Sequence, residues 1–169
     1  MSIRVTDYQP VFADPSYYCG PGPALIVGDD GKMTVCFRRV LSWLMEGFAS
    51  HWHPATETCL THSTDAGRHW TDPTTFLAGH QCPNLRRLSS GVWLHHTHRF
   101  ELVTDAIEKQ IVDRTGGSLS KGWWPGIQRG TSVHLSKDQG AHWSEPVYLD
   151  HVPGIPARHA LLHAPVAVR

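Results

Sequence analysis

Two arginines stand at matched places in this chain. Arg39 lies eight residues after Gly31, and Arg99 lies eight residues after Gly91. A guanidinium is planar, permanently charged and carries a fork of donors, so arginines at equivalent positions could clasp a carboxylate or another anionic group. The plain alternative is a surface arginine capping a strand end. Between them, "SHWHPATE" carries His51, His53 and Glu57. His51 and His53 are two apart and share a face on a strand. They could bind a metal, hold a hydroxyl or move a proton, or be polar loop residues with no role. No third ligand is marked, so no metal site is expected, and nothing marks a cofactor. "HHTH" is read in the same way, with His98 as its candidate. Trp123 and Trp124 could stack on a flat ring of a ligand, or staple a long loop to the body.

The elements that must position these residues announce themselves by repetition. "STDAGRHW" (Ser63 to Trp70) returns as "SKDQGAHW" (Ser136 to Trp143), with Ser, Asp, Gly, His and Trp in common. A phrase repeated with similar neighbours marks a repeated structural unit. "TCLTH" leads into the first copy and "SVHLS" into the second, so each reads as a strand, a tight turn and a strand. Gly67 and Gly140 supply positive φ in the turn. Asp65 and Asp138 accept hydrogen bonds from turn amides. Trp70 and Trp143 bury large rings at the start of the returning strand. Ser63, Asp65, Gly67, Trp70 and their partners Ser136, Asp138, Gly140 and Trp143 thus have structural work, and neither aspartate is expected to be catalytic.

A second repeat lies upstream. "PALIVGDDGKMTVCFRR" begins at Pro23 and "PNLRRLSSGVWLHHTHR" at Pro83, and Pro23–Gly31 and Pro83–Gly91 have the same spacing. Each reads as a hairpin through its glycine turn. Two hairpins per unit make four antiparallel strands, A to D, and repetition of such units is the pattern of a propeller. Blade one is expected over about residues 17–78 and blade two over 80–149, with 151–169 starting a third at "HAPVAVR". The A–B and C–D turns then share one side. The B–C connections, about 40–55 and 100–127, lie on the other with both arginines. Long loops on a rigid scaffold carry function. Short amphipathic helices are expected in them, through Leu41, Leu44 and Phe48, and through Val103, Ile107 and Ile111.

The pattern Ser-x-Asp-x-Gly-x-x-Trp is the Asp box. With the Asp-Gly hairpin one strand pair earlier, the chain resembles the sialidase (neuraminidase) superfamily with BNR repeats, over about residues 17–149. The resemblance implies an all-β, six-bladed β-propeller of which this chain carries two four-stranded blades and the start of a third. It also implies a glycan ligand. Sialidases hold the sugar carboxylate with three arginines, use a tyrosine activated by a glutamate as nucleophile, and use an aspartate as acid/base. The family's Arg-Ile-Pro stretch corresponds here to Pro21-Gly22-Pro23, without arginine. Ahead of the first Asp box stand Glu57 and histidines, without aspartate. The tyrosine–glutamate pair belongs to later blades. Two expectations follow: a sialidase-like propeller acting on or binding glycans, and alternatively a non-catalytic module that binds glycan or protein. A glycan or small anionic sugar is the expected partner, and the edges of an open propeller invite self-association.

Bulk composition narrows the field. The 169 residues suffice for one cored domain, and the formal charge is zero, which argues against a nucleic-acid partner. No apolar run approaches the length of a membrane span. "MSIRVTDYQP" lacks the basic start and apolar core of a signal peptide, so the cytoplasm is the default expectation, with secretion or a periplasmic location left open. The four cysteines show no C-x-x-C spacing and read as buried free thiols.

Overall fold

The computed structural model describes residues 8–20, 22–45, 53, 55–102 and 126–148, with 99–102 and 126–130 as backbone only. The described chain is all-β, built as two antiparallel sheets in sequence order. The first holds β1 (Tyr17–Cys19), β2 (Ala24–Val27), β3 (Met33–Leu41), β4 (Glu57–Ser63) and β5 (Thr74–Ala78). The second is a simple up-and-down run of β6 (His80–Arg87), β7 (Trp93–Leu102), β8 (Gly126–Ser136) and β9 (Val147–Tyr148).

The expected single first strand of the first unit is broken in two. β1 and β2 both pair with β3, at Cys19↔Arg39 and Ala24↔Cys36. The break falls on Gly20-Pro21-Gly22-Pro23. Proline has no amide to give to a ladder, and Gly22 is left-handed at φ 86°. The second unit strains at the corresponding place. Adding 60 to Gly22-Pro23 gives Cys82-Pro83, and Cys82 has φ 54° inside a β-bulge between Gln81 and Asn84. A non-glycine residue in that region is costly.

The hairpin turns form where the eight-residue spacing puts them. Gly28 N donates to Lys32 O at 2.8 Å and Gly31 N to Gly28 O at 3.0 Å; Leu88 N donates to Val92 O at 2.8 Å and Gly91 N to Leu88 O at 2.9 Å. Gly31 and Gly91 sit at φ 79° and 83°, which closes each turn with a left-handed residue. Arg87 reaches across from the second sheet and clasps Asp29 with both guanidinium nitrogens, tying the two turns together.

The Asp boxes close the other hairpins. In the first, Ser63 Oγ donates to Asp65 Oδ1 at 2.8 Å and accepts from Gly67 N at 2.9 Å. Asp65 Oδ1 accepts from His69 N at 2.9 Å, and Oδ2 meets His69 Nδ1 at 2.5 Å. The second box repeats this through Ser136, Asp138, Gly140 and His142, with distances of 2.8, 2.8, 2.9 and 2.6 Å. These bonds pull the Asp65 carboxyl well below the usual range and Asp138 to about 2, the His69 and His142 amides being the largest causes. Two features differ from the sequence reading. Each turn has two successive left-handed residues, Ala66–Gly67 and Gln139–Gly140. The buried member is the serine, 2% exposed at Ser63 and 1% at Ser136, while both aspartates reach solvent. Ser63→Ala and Ser136→Ala are therefore expected to destabilise by about 1–2 kcal/mol each, since the half-buried Gly67 and Gly140 amides lose their acceptor and each aspartate loses a donor. Asp65→Ala should lower the melting temperature less, which parallel thermal melts of the variants check.

The sheets pack face to face. Ile26, Cys36 and Leu60 of the first meet Leu85 and Trp93 of the second, with Phe76 and Trp143 at the edge of the cluster. The opposite face of the first sheet carries Val35, Phe37 and Cys59, covered in part by Val11, Phe12 and Trp70. Strand alternation explains the division: even positions of β3 face the seam and odd positions face away. Only Cys36 and Cys59 are the buried thiols expected; Cys19 is exposed and Cys82 half-buried. Of the expected loop helices, a 3₁₀ turn occupies Ser42–Met45, and Leu41 ends β3 instead. Phe48, Val103, Ile107, Ile111 and the 151–169 stretch lie outside the described residues.

Candidate functional site

The register puts the arginines on the rim opposite the Asp boxes. Along β3, Met33 pairs with Ser63 at one end and Arg39 with Glu57 at the other. Along β7, Trp93 pairs with Ser136 near the box, and Arg99 pairs with His80 at the far end.

Arg39 and Glu57 come together. Arg39 Nε donates to Glu57 Oε2 at 2.8 Å, and Thr75 Oγ1 donates to the same oxygen at 3.2 Å. The guanidinium carbon lies 4.3 Å from the Tyr17 ring centroid and 5.4 Å from that of Phe12. Phe12 meets Tyr17 edge-on and also contacts Phe37. The arginine is thus fixed by an ion pair on one side and aromatic faces on the other. Burial is the largest single influence and lowers its pKa, but the Glu57 hydrogen bond and the nearby Cys59, Glu57 and Tyr17 groups together outweigh it, so the net shift is upward.

Arg38 is the rim residue that the sequence reading passed over. It is 2% exposed and points to the seam side of β3, where its neighbour Arg39 points away. Its guanidinium lies against Gly20: a Cβ there would fall 2.0 Å from Arg38 Nε and 2.3 Å from Cζ, so a side chain at position 20 would displace the guanidinium. Burial lowers its pKa, opposed by the nearby Cys82 and Tyr18 groups. The signal was present as two consecutive arginines in a strand, which must face opposite ways.

The other candidates separate. His53 is buried in the turn before β4, where its Nδ1 accepts from Ala55 N at 2.9 Å and its carbonyl accepts from Thr56 N at 2.9 Å. It acts as a turn brace, and burial lowers its pKa. His98 is buried on the face of the second sheet turned away from the first, with Nδ1 at 3.5 Å from Thr131 Oγ1, and burial lowers it also. Of Arg99 only the backbone position is described. His51, Trp123 and Trp124 lie outside the described residues. Among the described residues, no three His, Cys, Asp or Glu side chains group as metal ligands.

No family model matches this chain, and no curated protein matches it. Among solved structures, 21 chains resemble it. One is the crystal structure of a protein of unknown function from Dyadobacter fermentans DSM 18053, with a TM-score of 0.66 and 22% identity over 84% of this chain. At that identity the likeness is one of fold. The chain spans about two fifths of that structure, 39% of its length.

Proposed function

We propose that this chain forms part of a sialidase-like β-propeller, and that the rim bearing Arg39 and Glu57 binds an anionic sugar or glycan. The observation that carries the reading is the grouping of Arg39, Glu57 and Tyr17 on the rim away from the Asp boxes. A guanidinium held in place by an ion pair and an aromatic face is pre-organised for a further anionic group.

Binding is favoured over cleavage. Glu57 Oε2 already accepts from Arg39 and Thr75, so that oxygen is occupied and poorly placed to relay a proton. The stretch just ahead of the first Asp box, "SHWHPATETCLTHST", holds no aspartate to serve as acid. The expected result is that N-acetylneuraminate and glucuronate perturb the Tyr17 and Arg39 resonances, while a fluorogenic sialoside is not turned over. Arg39→Ala should weaken binding by about tenfold, the scale of one lost charge-assisted contact. Turnover by the 169-residue chain, or binding indifferent to Arg39→Ala, would overturn this reading.

A further inference from the structure

The two Asp boxes share the residues their turn requires and differ at residues it does not. Box one has Thr64 and Ala66 where box two has Lys137 and Gln139. The turn forms equally well in both, so folding does not demand the lysine or the glutamine. Gln139 even accepts a left-handed backbone at φ 58°.

These two extra side chains line a groove. Where the second box meets the first sheet there is a cleft of about 510 Å³, walled by Lys32, His62, Thr75, Phe76, Lys137 and Trp143. A second hollow of about 330 Å³ adjoins it and shares Lys32, Lys137 and Gln139. The groove therefore crosses the seam on the Asp-box rim, away from Arg39.

Its charges are unevenly committed. Asp138 is taken up by Ser136 and His142, Asp29 by Arg87, and Asp30 Oδ1 by the Lys32 amide at 3.0 Å. Among the described residues, neither the Lys32 nor the Lys137 ammonium pairs with a carboxylate. Phe76 and Trp143 stack at 5.0 Å and 14°, giving the groove an apolar wall. His62 Nδ1 is held at 2.9 Å by Thr34 Oγ1, which fixes its ring in the lining.

We infer that this groove is a separate binding site for an acidic oligosaccharide, with carboxylate or sulfate groups on Lys32 and Lys137 and a sugar ring against Phe76 and Trp143. Two cations about a flat apolar wall suit spaced single charges on a ring scaffold. A polyphosphate is disfavoured, because Asp29, Asp30 and Asp138 border the same space and would repel dense negative charge.

The test is titration of the full chain at low salt, followed by NMR, with a galacturonate trimer, a sulfated disaccharide and maltotriose as the neutral control. The acidic trimer is expected to shift His62, Phe76 and Trp143, and to do so less as salt rises. The doubly substituted Lys32→Ala, Lys137→Ala chain should bind it about tenfold more weakly with an unchanged melting curve. Arg39→Ala, on the opposite rim, should leave this binding intact, so failure here is distinguishable from failure of the rim proposal. Stronger response to the sulfated sugar would assign sulfate as the preferred group; stronger response to the trimer would assign carboxylate. Equal binding of maltotriose, no shift at low-millimolar trimer, or indifference to the lysine substitutions would overturn the site.

Discussion

Acidification from pH 7 to pH 5 is expected to destabilise this protein steeply. Six described histidines have pKa values lowered by burial: His53, His62, His95, His96, His98 and His134. His95 is fully buried at the seam between Phe76, Trp143 and His134, and neither of its ring nitrogens has a hydrogen-bond partner among the described residues. Burial pushes it well below the usual histidine value, with His134 the next cause. Burial takes His96 to about 4. Such groups are neutral in the native state and take up protons on unfolding. Stability is therefore fully present above the unfolded value of about 6.5 and lost as pH falls towards the folded value. For His96 that window runs from about 6.5 to about 4, and its loss amounts to about 2 kcal/mol after discounting for solvent screening. The Asp-box carboxylates act in a separate, lower window, since their folded values are depressed. Urea unfolding at a series of pH values should show stability falling by more than about 1.4 kcal/mol per pH unit below pH 6, the slope for one proton. A slope of less than one proton would contradict the seam packing around His95. His95→Phe should flatten the curve, because it keeps the ring and removes the proton site.

Much of this architecture could be read from spacing, and the exceptions have physical causes. The hairpins at Gly31 and Gly91 were legible because an Asp-Gly or Ser-Gly pair between two strand-like runs marks a tight turn. The Asp boxes were legible because a shared serine, aspartate and glycine leave few other ways to fold the turn. Which of their groups is buried was not, since Ser63 and Asp65 are equally polar and only the neighbouring strands decide which is covered. The broken first strand was half visible in Pro21 and Pro23, but Cys82 gives no hint of a positive φ. The histidines of β7 alternate in a way that period two dictates. Whether each face is covered depends on the partner sheet, so His95 could be assigned to a side but not to a fully buried seam. The Arg39–Glu57 pair depends on register across 18 residues, which periodicity alone does not set.

Trp93→Ala is expected to be the most damaging single substitution among the tryptophans. Trp93 is 4% exposed and lies at the centre of the cluster that joins the sheets, among Ile26, Cys36, Leu60 and Leu85. The second Asp-box turn closes over it: a Cβ on Gly140 would stand 3.2 Å from Trp93 Cζ3 and 3.0 Å from Leu60 Cδ1. Removing the indole opens a cavity that the rigid turn and both ladders cannot collapse into, so the cost should be about 3–5 kcal/mol. Trp70, the tryptophan of the first Asp box, makes the informative contrast. Its N–H donates to Gly67 O at 3.0 Å, but its ring is only half-buried and packs on the face away from the seam. Trp70→Ala should cost about half as much, because it forfeits less buried area and water can fill the space. Both variants are compared by urea denaturation at pH 7.5, where the histidine term is small. A loss at Trp70 equal to or greater than that at Trp93 would mean that the outer face, and not the seam, carries the stability. Loss of near-ultraviolet dichroism in Trp93→Ala with far-ultraviolet dichroism retained would show the mechanism directly: the sheets persist while the seam between them loosens.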